Sequence, residues 1–212
     1  MIQLGVNSVL FGAFDFDTAC RMVKASGYDG IEVSAIQGMC EHYVLEDWKN
    51  QAEAVKATMA KYELKPLSME VAANDEARLE LAFSAAAAAG IPIVNVGPGG
   101  ASGAEGAIEA SIENLKARAA QAESHGVTLC CKAHVGSAIW NTPTTLQAMA
   151  AIDSPAFGVD MDPSHIWRGN EDPAEALKQV VSRVKHVHIR DCKGRQQNPG
   201  IAPLQACGRG DI

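Results

Sequence analysis

Apolar positions along the chain alternate between two spacings. Short apolar runs read as strands, and each is followed by a stretch with apolar residues three and four apart, the spacing of a helix face. Strands are expected at residues 2–6, 30–33, 67–71, 91–96, 127–132, 157–162 and 184–190. Between them, Asp17 caps a helix through Ser26, with Gly27 as its stop. Trp48, Ala52, Val55 and Met59 follow one helical stripe. Asp75 to Ala89 is a helix ended by Gly90; Ile108, Ile112, Leu115, Ala119 and Ala122 mark another, stopped by Gly126. Thr142 to Ala151 is helical, and Asp172-Pro173 opens a last helix that runs to about Arg183.

Seven strand–helix units in strict alternation predict a parallel sheet, either open or closed into a barrel. A closed eight-unit barrel takes ~250 residues. This chain has 212 and stops where an eighth unit should begin, so it is expected to be C-terminally incomplete. No linker-like stretch interrupts it, which predicts a single domain over residues 1–212.

Composition narrows the function. The chain is 47% hydrophobic and 20% charged, with a formal net charge of -7. That describes a globular protein and argues against a nucleic-acid surface. No apolar run approaches the ~18 residues of a membrane span. No signal peptide precedes the first strand, and six cysteines lack CxxC spacing. Reduced thiols in a cytoplasmic protein are expected.

The candidate chemistry lies on the polar faces of the strands. In the last one, Val187 and Ile189 point one way while His186, His188 and Arg190 point the other. This strand is expected to be buried on both faces, so its imidazoles need partners or a role. Extending the alternation gathers Glu32, Glu70, Lys132, His134, Asp160, Asp162, His186, His188 and Arg190 toward the C-terminal ends of the strands, where barrel active sites lie. Each has a plainer reading. Glu32 and Glu70 could be caps, the histidines could be hydrogen-bonded core residues, and Lys132 could neutralise Asp160 or Asp162. The glycine-rich loop at residues 97–100 could cradle a phosphate or simply turn the chain.

Asp162 and His188, on neighbouring expected strands, form a candidate metal pair whose oxygen and nitrogen donors suit Mn²⁺, Mg²⁺, Co²⁺ or Zn²⁺. His165 follows on the loop of Asp162-Pro163-Ser164-His165. A metal on adjacent sugar oxygens acidifies the carbon beside a carbonyl, and a side-chain base can move that proton through an enediolate.

Residues 127–134, 158–165 and 186–191, with the closing Gly208-Arg209-Gly210-Asp211, resemble the sugar phosphate isomerase/epimerase family. These are xylose isomerase-like TIM barrels, and they include tagatose epimerase-like, hydroxypyruvate isomerase-like and inosose dehydratase-like enzymes. The resemblance implies a (β/α)8 barrel whose eighth unit is missing from this chain. It implies one divalent metal, with Asp162 and His188 as ligands. His165 matches the substrate-side histidine. Arg190 would contact substrate, and Glu32, Glu70, His134 and Arg168 are also expected at the substrate.

Two positions depart from the family pattern. Lys132 stands where a metal-binding Glu is usual, and a protonated lysine cannot ligate a cation. The second usual Glu would lie beyond Ile212.

The expected activity is a metal-dependent isomerase or epimerase acting on a sugar, sugar phosphate or sugar acid. Lys132, its pKa lowered by burial, and His165 would carry the acid–base work. The alternatives are a lyase or aldolase-like enzyme using Lys132 as a Schiff base, and a non-catalytic carbohydrate-binding subunit. A relative of the barrel-type abasic-site endonucleases is disfavoured by the acidic charge. The expected partner is a small-molecule carbohydrate, with no nucleic acid and no membrane. Exposed sheet edges predict a homo-oligomer.

Overall fold

The computed structural model describes residues 2–195 and 201–212. Its contacts divide the chain into two compact units, one of residues 1–96 and 121–129, the other of residues 97–120 and 130–212.

The first unit contains β1 (Gly5–Asn7), α1 (Phe16–Ala25), β2 (Gly30–Ile36), β3 (Cys40–Glu41), α2 (Trp48–Lys61), β4 (Lys65–Glu70), α3 (Glu76–Ala89) and β5 (Ile93–Val96). Strands β1, β2, β4 and β5 pair in that order, all parallel. The short β3 is antiparallel to β2 and was not expected from sequence. Ile31, Val33, Met69, Leu79, Phe83 and Val94 are fully buried. A register shift between Ile31 and Glu32 sets Glu32 opposite Ser68.

Two expectations in this unit need correction. The first strand begins at Gly5, and Ile2 and Leu4 lie exposed before it. Asp15, not Asp17, caps α1, because its carboxylate accepts the N–H of Thr18 at 2.8 Å. Asp17 sits in the first turn and accepts from Lys61 Nζ and Tyr62 Oη, both at 2.7 Å. Helix α3 keeps its expected ends: Asp75 caps it, and Gly90 closes it at φ 73°.

Residues of the second unit form α5 (Thr142–Ala151), β7 (Phe157–Met161), α6 (Pro163–Arg168), α7 (Pro173–Val180) and β8 (Val184–Val187). Helix α4 (Ala107–Ser124) and β6 (Thr128–Lys132) have residues in each unit. Strands β6, β7 and β8 pair in that order, with β7 and β8 parallel. Every residue of β7 is buried.

Asp162-Pro163-Ser164-His165, expected as a loop, begins the short helix α6. Asp162 is its N-cap and Pro163 occupies the first turn, where its missing N–H costs nothing. The expectation for β8 also fails. Val187 and Ile189 are 43% and 67% exposed, whereas the side chains of His186 and His188 are only 15% and 17% exposed. The polar face of this strand is the covered one, because it packs against a charged partner on β7. Among the described residues, no helix is long and apolar enough to cross a membrane.

Candidate functional site

Seven of the nine expected site residues lie in the second unit, and they fall into two clusters. The first is built on Asp160, in the middle of β7 and fully buried. Its Oδ1 lies 3.0 Å from His186 Nδ1, and its Oδ2 lies 2.8 Å from His188 Nδ1. Lys132 Nζ is 3.6 Å from the same Oδ2. Burial pushes the Asp160 carboxyl up, but the charge of His188, hydrogen bonds from both histidines and the Lys132 ammonium hold it well below the usual carboxylate range.

The second cluster surrounds α6. Asp162 Oδ1 accepts the N–H of Ser164 at 2.9 Å and its hydroxyl at 2.6 Å. Arg190 Nε donates to Ser164 Oγ at 2.7 Å and lies 3.4 Å from Asp162 Oδ2. The buried His165 is the centre of this group. Its Nδ1 faces the N–H of Val135 at 3.3 Å and Arg168 Nη2 at 2.9 Å. Its Nε2 is 2.8 Å from Arg190 Nη2. Burial pushes the His165 imidazole far below its ordinary range, and the charges of His134, Arg168, Arg190 and Lys132 push the same way. The ring is therefore neutral at neutral pH. Amide and guanidinium N–H groups only donate, and a neutral imidazole has a single acceptor nitrogen. Arg168 Nη2 also lies 3.3 Å from Nε2, so donors face both nitrogens and one edge of the ring meets a surplus donor.

His134 stacks near His165, with ring centroids 4.1 Å apart, and is the more open of the two to solvent. Its Nδ1 lies 3.0 Å from the carbonyl oxygen of Val135. A carbonyl only accepts, so the hydrogen is on Nδ1 and the lone pair on Nε2. Burial lowers the His134 pKa and the bond to Val135 opposes it, while Lys132, Arg168 and Arg190 lower it further.

Glu32 and Glu70 lie in the first unit. Glu32 Oε1 accepts from Ser68 Oγ at 3.0 Å and from Asn95 Nδ2 at 2.6 Å. Glu70 accepts from Asn7 Nδ2.

The donor chemistry supplies a test for a metal. His186 and His188 both turn Nδ1 to Asp160. A carboxylate accepts only, so each ring carries a hydrogen on Nδ1, and in its neutral form keeps its lone pair on Nε2. Metal-binding imidazoles are commonly held this way by a carboxylate behind them. The two histidines therefore fit the nitrogen part of a divalent-metal site. Asp162 now has both oxygens turned to donors of its own cluster. Lys132 brings positive charge, and its ionised neighbour Asp160 favours the ammonium over the neutral amine.

Asp160, expected from the sequence only as a charge that Lys132 could neutralise, organises the first cluster. Ser164 is not among the site residues expected from sequence, yet it bonds to both Asp162 and Arg190. The Asp-Pro-Ser cap was the signal for it, since a residue two past an N-cap sits against the capping carboxylate.

Among known proteins, an inosose dehydratase of Clostridium perfringens (strain 13 / Type A) is 31% identical over 84 residues, covering 40% of this chain and 28% of that protein. A 3-dehydroshikimate dehydratase of Bacillus anthracis is 24% identical over 67 residues, 32% of this chain and 24% of that protein. The chain thus spans about a quarter of the length of these curated relatives. Solved structures are similar over more of their length. The IOLI protein with a binding zinc atom superposes with a TM-score of 0.79 at 17% identity, over 100% of this chain and 81% of that one. A D-tagatose 3-epimerase-like protein gives 0.76 at 18%, over 100% and 82%. At these identities the superpositions establish the fold. A family profile described as xylose isomerase-like TIM barrel matches residues 20–209. The alternation of parallel strands and helices agrees with that match, and the chain belongs to the xylose isomerase-like TIM-barrel family.

Proposed function

We propose that this protein is a carbohydrate isomerase or epimerase that moves a proton at the carbon beside a carbonyl. The observation that carries this reading is His134, neutral and with its Nε2 lone pair exposed beside cationic neighbours. A neutral imidazole can take the proton from a C–H made acidic by the adjacent carbonyl. The negative charge that then develops on the carbonyl oxygen needs fixed positive groups. Lys132, Arg168 and Arg190 supply them. His165, buried between the two arginines, is proposed to share the acid–base work. Glu32 and Glu70 are proposed to contact substrate hydroxyls.

A divalent ion (Mn²⁺, Mg²⁺, Co²⁺ or Zn²⁺) would be held by His188, with His186 joining it, and would polarise the substrate carbonyl when bound. Asp162, proposed as a ligand with His188, would have to release Ser164 and Arg190 to take that place. The placing of Nδ1 of the two histidines against Asp160 supports only the histidine part of this assignment. Similarity to an inosose dehydratase favours a second outcome, loss of water. Elimination next to a carbonyl begins with the same proton removal, so one base serves either reaction.

Six cysteines, with no disulfide among the described residues, support a reducing, cytoplasmic location. Exposed Val187 and Ile189 at the end of β8 support self-association into a homo-oligomer.

Incubation with ketoses and keto-polyols in D₂O tests the proposal. The protein is expected to incorporate solvent deuterium at the carbon beside the carbonyl, seen by NMR. His134→Gln is expected to slow this by roughly 10²–10⁴-fold. A product with a new carbon–carbon double bond identifies the dehydration outcome. Neither exchange nor dehydration across the panel, with metal supplied, rejects the enzymatic reading.

A further inference from the structure

Ser164 has no exposed surface, yet it contacts three charged side chains. It stands second in α6, after the cap Asp162 and Pro163. Asp162 Oδ1 accepts both its N–H, at 2.9 Å, and its hydroxyl, at 2.6 Å. Its Oγ in turn accepts from Arg190 Nε at 2.7 Å, and its carbonyl oxygen accepts from Arg168 Nε at 3.2 Å.

Chemistry fixes the directions of these bonds. A carboxylate only accepts and a guanidinium only donates, whereas a hydroxyl does both. The Ser164 proton therefore points at Asp162, and a lone pair is left for Arg190. Each bond in such a chain polarises and strengthens the next. The helix cap itself needs only the backbone N–H. The hydroxyl is thus surplus to the cap, and its second partner lies 26 residues away, beyond β8.

Three partners meet three different nitrogens of Arg190. Its Nε faces Ser164, its Nη1 faces Gln205 Oε1 at 3.3 Å, and its Nη2 faces His165 Nε2 at 2.8 Å. A planar group held at three points keeps one orientation. The Arg190 side chain is still 32% exposed, so this held group remains reachable from solvent.

We propose that Ser164 is a positioning residue, whose hydroxyl ties Arg190 to Asp162 and keeps its guanidinium beside His165 to meet the charge that develops on the substrate. The tie stands on the geometry; its value to catalysis rests on the proposed function. A charge fixed beforehand stabilises a developing anion better than a mobile one, because it does not reorganise during the reaction.

Ser164→Ala in the 212-residue protein separates this role from a structural one. The variant keeps the capping N–H and gains helix propensity, so it is expected to fold. NMR of the ¹⁵N-labelled protein reads Arg190 Nε–H, assigned with Arg190→Met. A slowly exchanging signal is expected in the wild type, lost to fast solvent exchange in Ser164→Ala. This readout needs no substrate, so it decides the tie even where the proposed reaction fails. Deuterium incorporation into ketoses is expected to slow by roughly 10–100-fold in Ser164→Ala, the scale of a misplaced contact. In the Arg190→Met background the same change is expected to cost nothing further, since a positioning residue has no effect once the group it positions is gone. A fast-exchanging Arg190 Nε–H in the wild type overturns the proposal, as does a protected one in folded Ser164→Ala. So does undiminished deuterium incorporation by that variant, or an equal loss from Ser164→Ala with and without Arg190.

Discussion

Nδ1 of His188 lies 2.8 Å from Oδ2 of Asp160, a carboxylate with no exposed surface. The same carboxylate orients His186 from its other oxygen. Asp160→Ala would leave two imidazoles and an ammonium around a hole. Breaking such a buried charge cluster by removing one partner costs about 3–5 kcal/mol, measurable by denaturant unfolding. Asp160→Asn preserves the shape and removes the charge. If His188 binds a divalent ion, Asp160→Asn should weaken metal affinity by roughly 10–100-fold, as loss of a supporting carboxylate does elsewhere. Metal titration of wild type, Asp160→Asn and His188→Ala checks this; equal affinities in all three would remove the metal from these histidines.

Lys132 sits 3.6 Å from that ionised carboxylate, which favours its ammonium form. An ammonium is a poor nucleophile, so Schiff-base chemistry is not expected. Treatment with borohydride and a ketose should leave Lys132 unmodified by mass spectrometry. Lys132→Met should instead lower turnover by roughly 10²–10³-fold, the scale for losing one oxyanion-stabilising group. A reduced adduct on Lys132 would restore the lyase reading.

Gly30 is fixed by contact. A Cβ there would come within 2.5 Å of the carbonyl oxygen of Lys65 and 2.6 Å of Leu67 Cγ. Backbone in a neighbouring paired strand cannot yield as a flexible side chain does. Gly30→Ala should therefore cost about 1–3 kcal/mol by overpacking, read from the urea midpoint. An unchanged midpoint would mean that β2 and β4 can separate at little cost.

Asp191 ties the end of the chain to the residues after β8. Its carboxylate accepts the N–H groups of Gly210 at 2.8 Å, Cys192 at 2.9 Å, Gly208 at 3.0 Å and Ile212 at 3.1 Å. The Gly210 bond lowers its pKa, burial opposes, and the bonds from Ile212, Cys192 and Gly208 lower it further. A folded pKa below the unfolded value of ~3.9 means that this stabilisation is complete above that value. It is lost as pH falls through the folded pKa. The stability gap between wild type and Asp191→Ala should hold from neutral pH to about 4 and narrow below it. A gap that stays constant into strong acid would show that the charge on Asp191 does not hold the segment.

Much of the architecture was legible in the chain because local signals carry it. Asp75 and Gly90 bound α3 as read, and Asp172-Pro173 opens α7 as read, since caps and turn glycines act within a few residues. The first strand was less legible because Ile2 and Leu4 extend the apolar pattern without being buried. His165 lies on a helix but was expected on a loop, because a six-residue helix shows too little periodicity to be seen.

The sequence by itself determined which side chains share a strand face: His186 with His188, and Asp160 with Asp162, by the two-residue period of a strand. Tertiary structure decided which of them meet. A register shift between Val159 and Asp160 sets Asp160 opposite His186 on β8, where regular pairing after Val159–Val184 would have set it opposite Lys185. Alternation contains no information about such a shift, because it depends on how two strands distant in sequence pack together. The same packing turns His186 and His188 inward, leaves Val187 and Ile189 exposed, and gives Asp162 to Ser164 and Arg190 instead of His188.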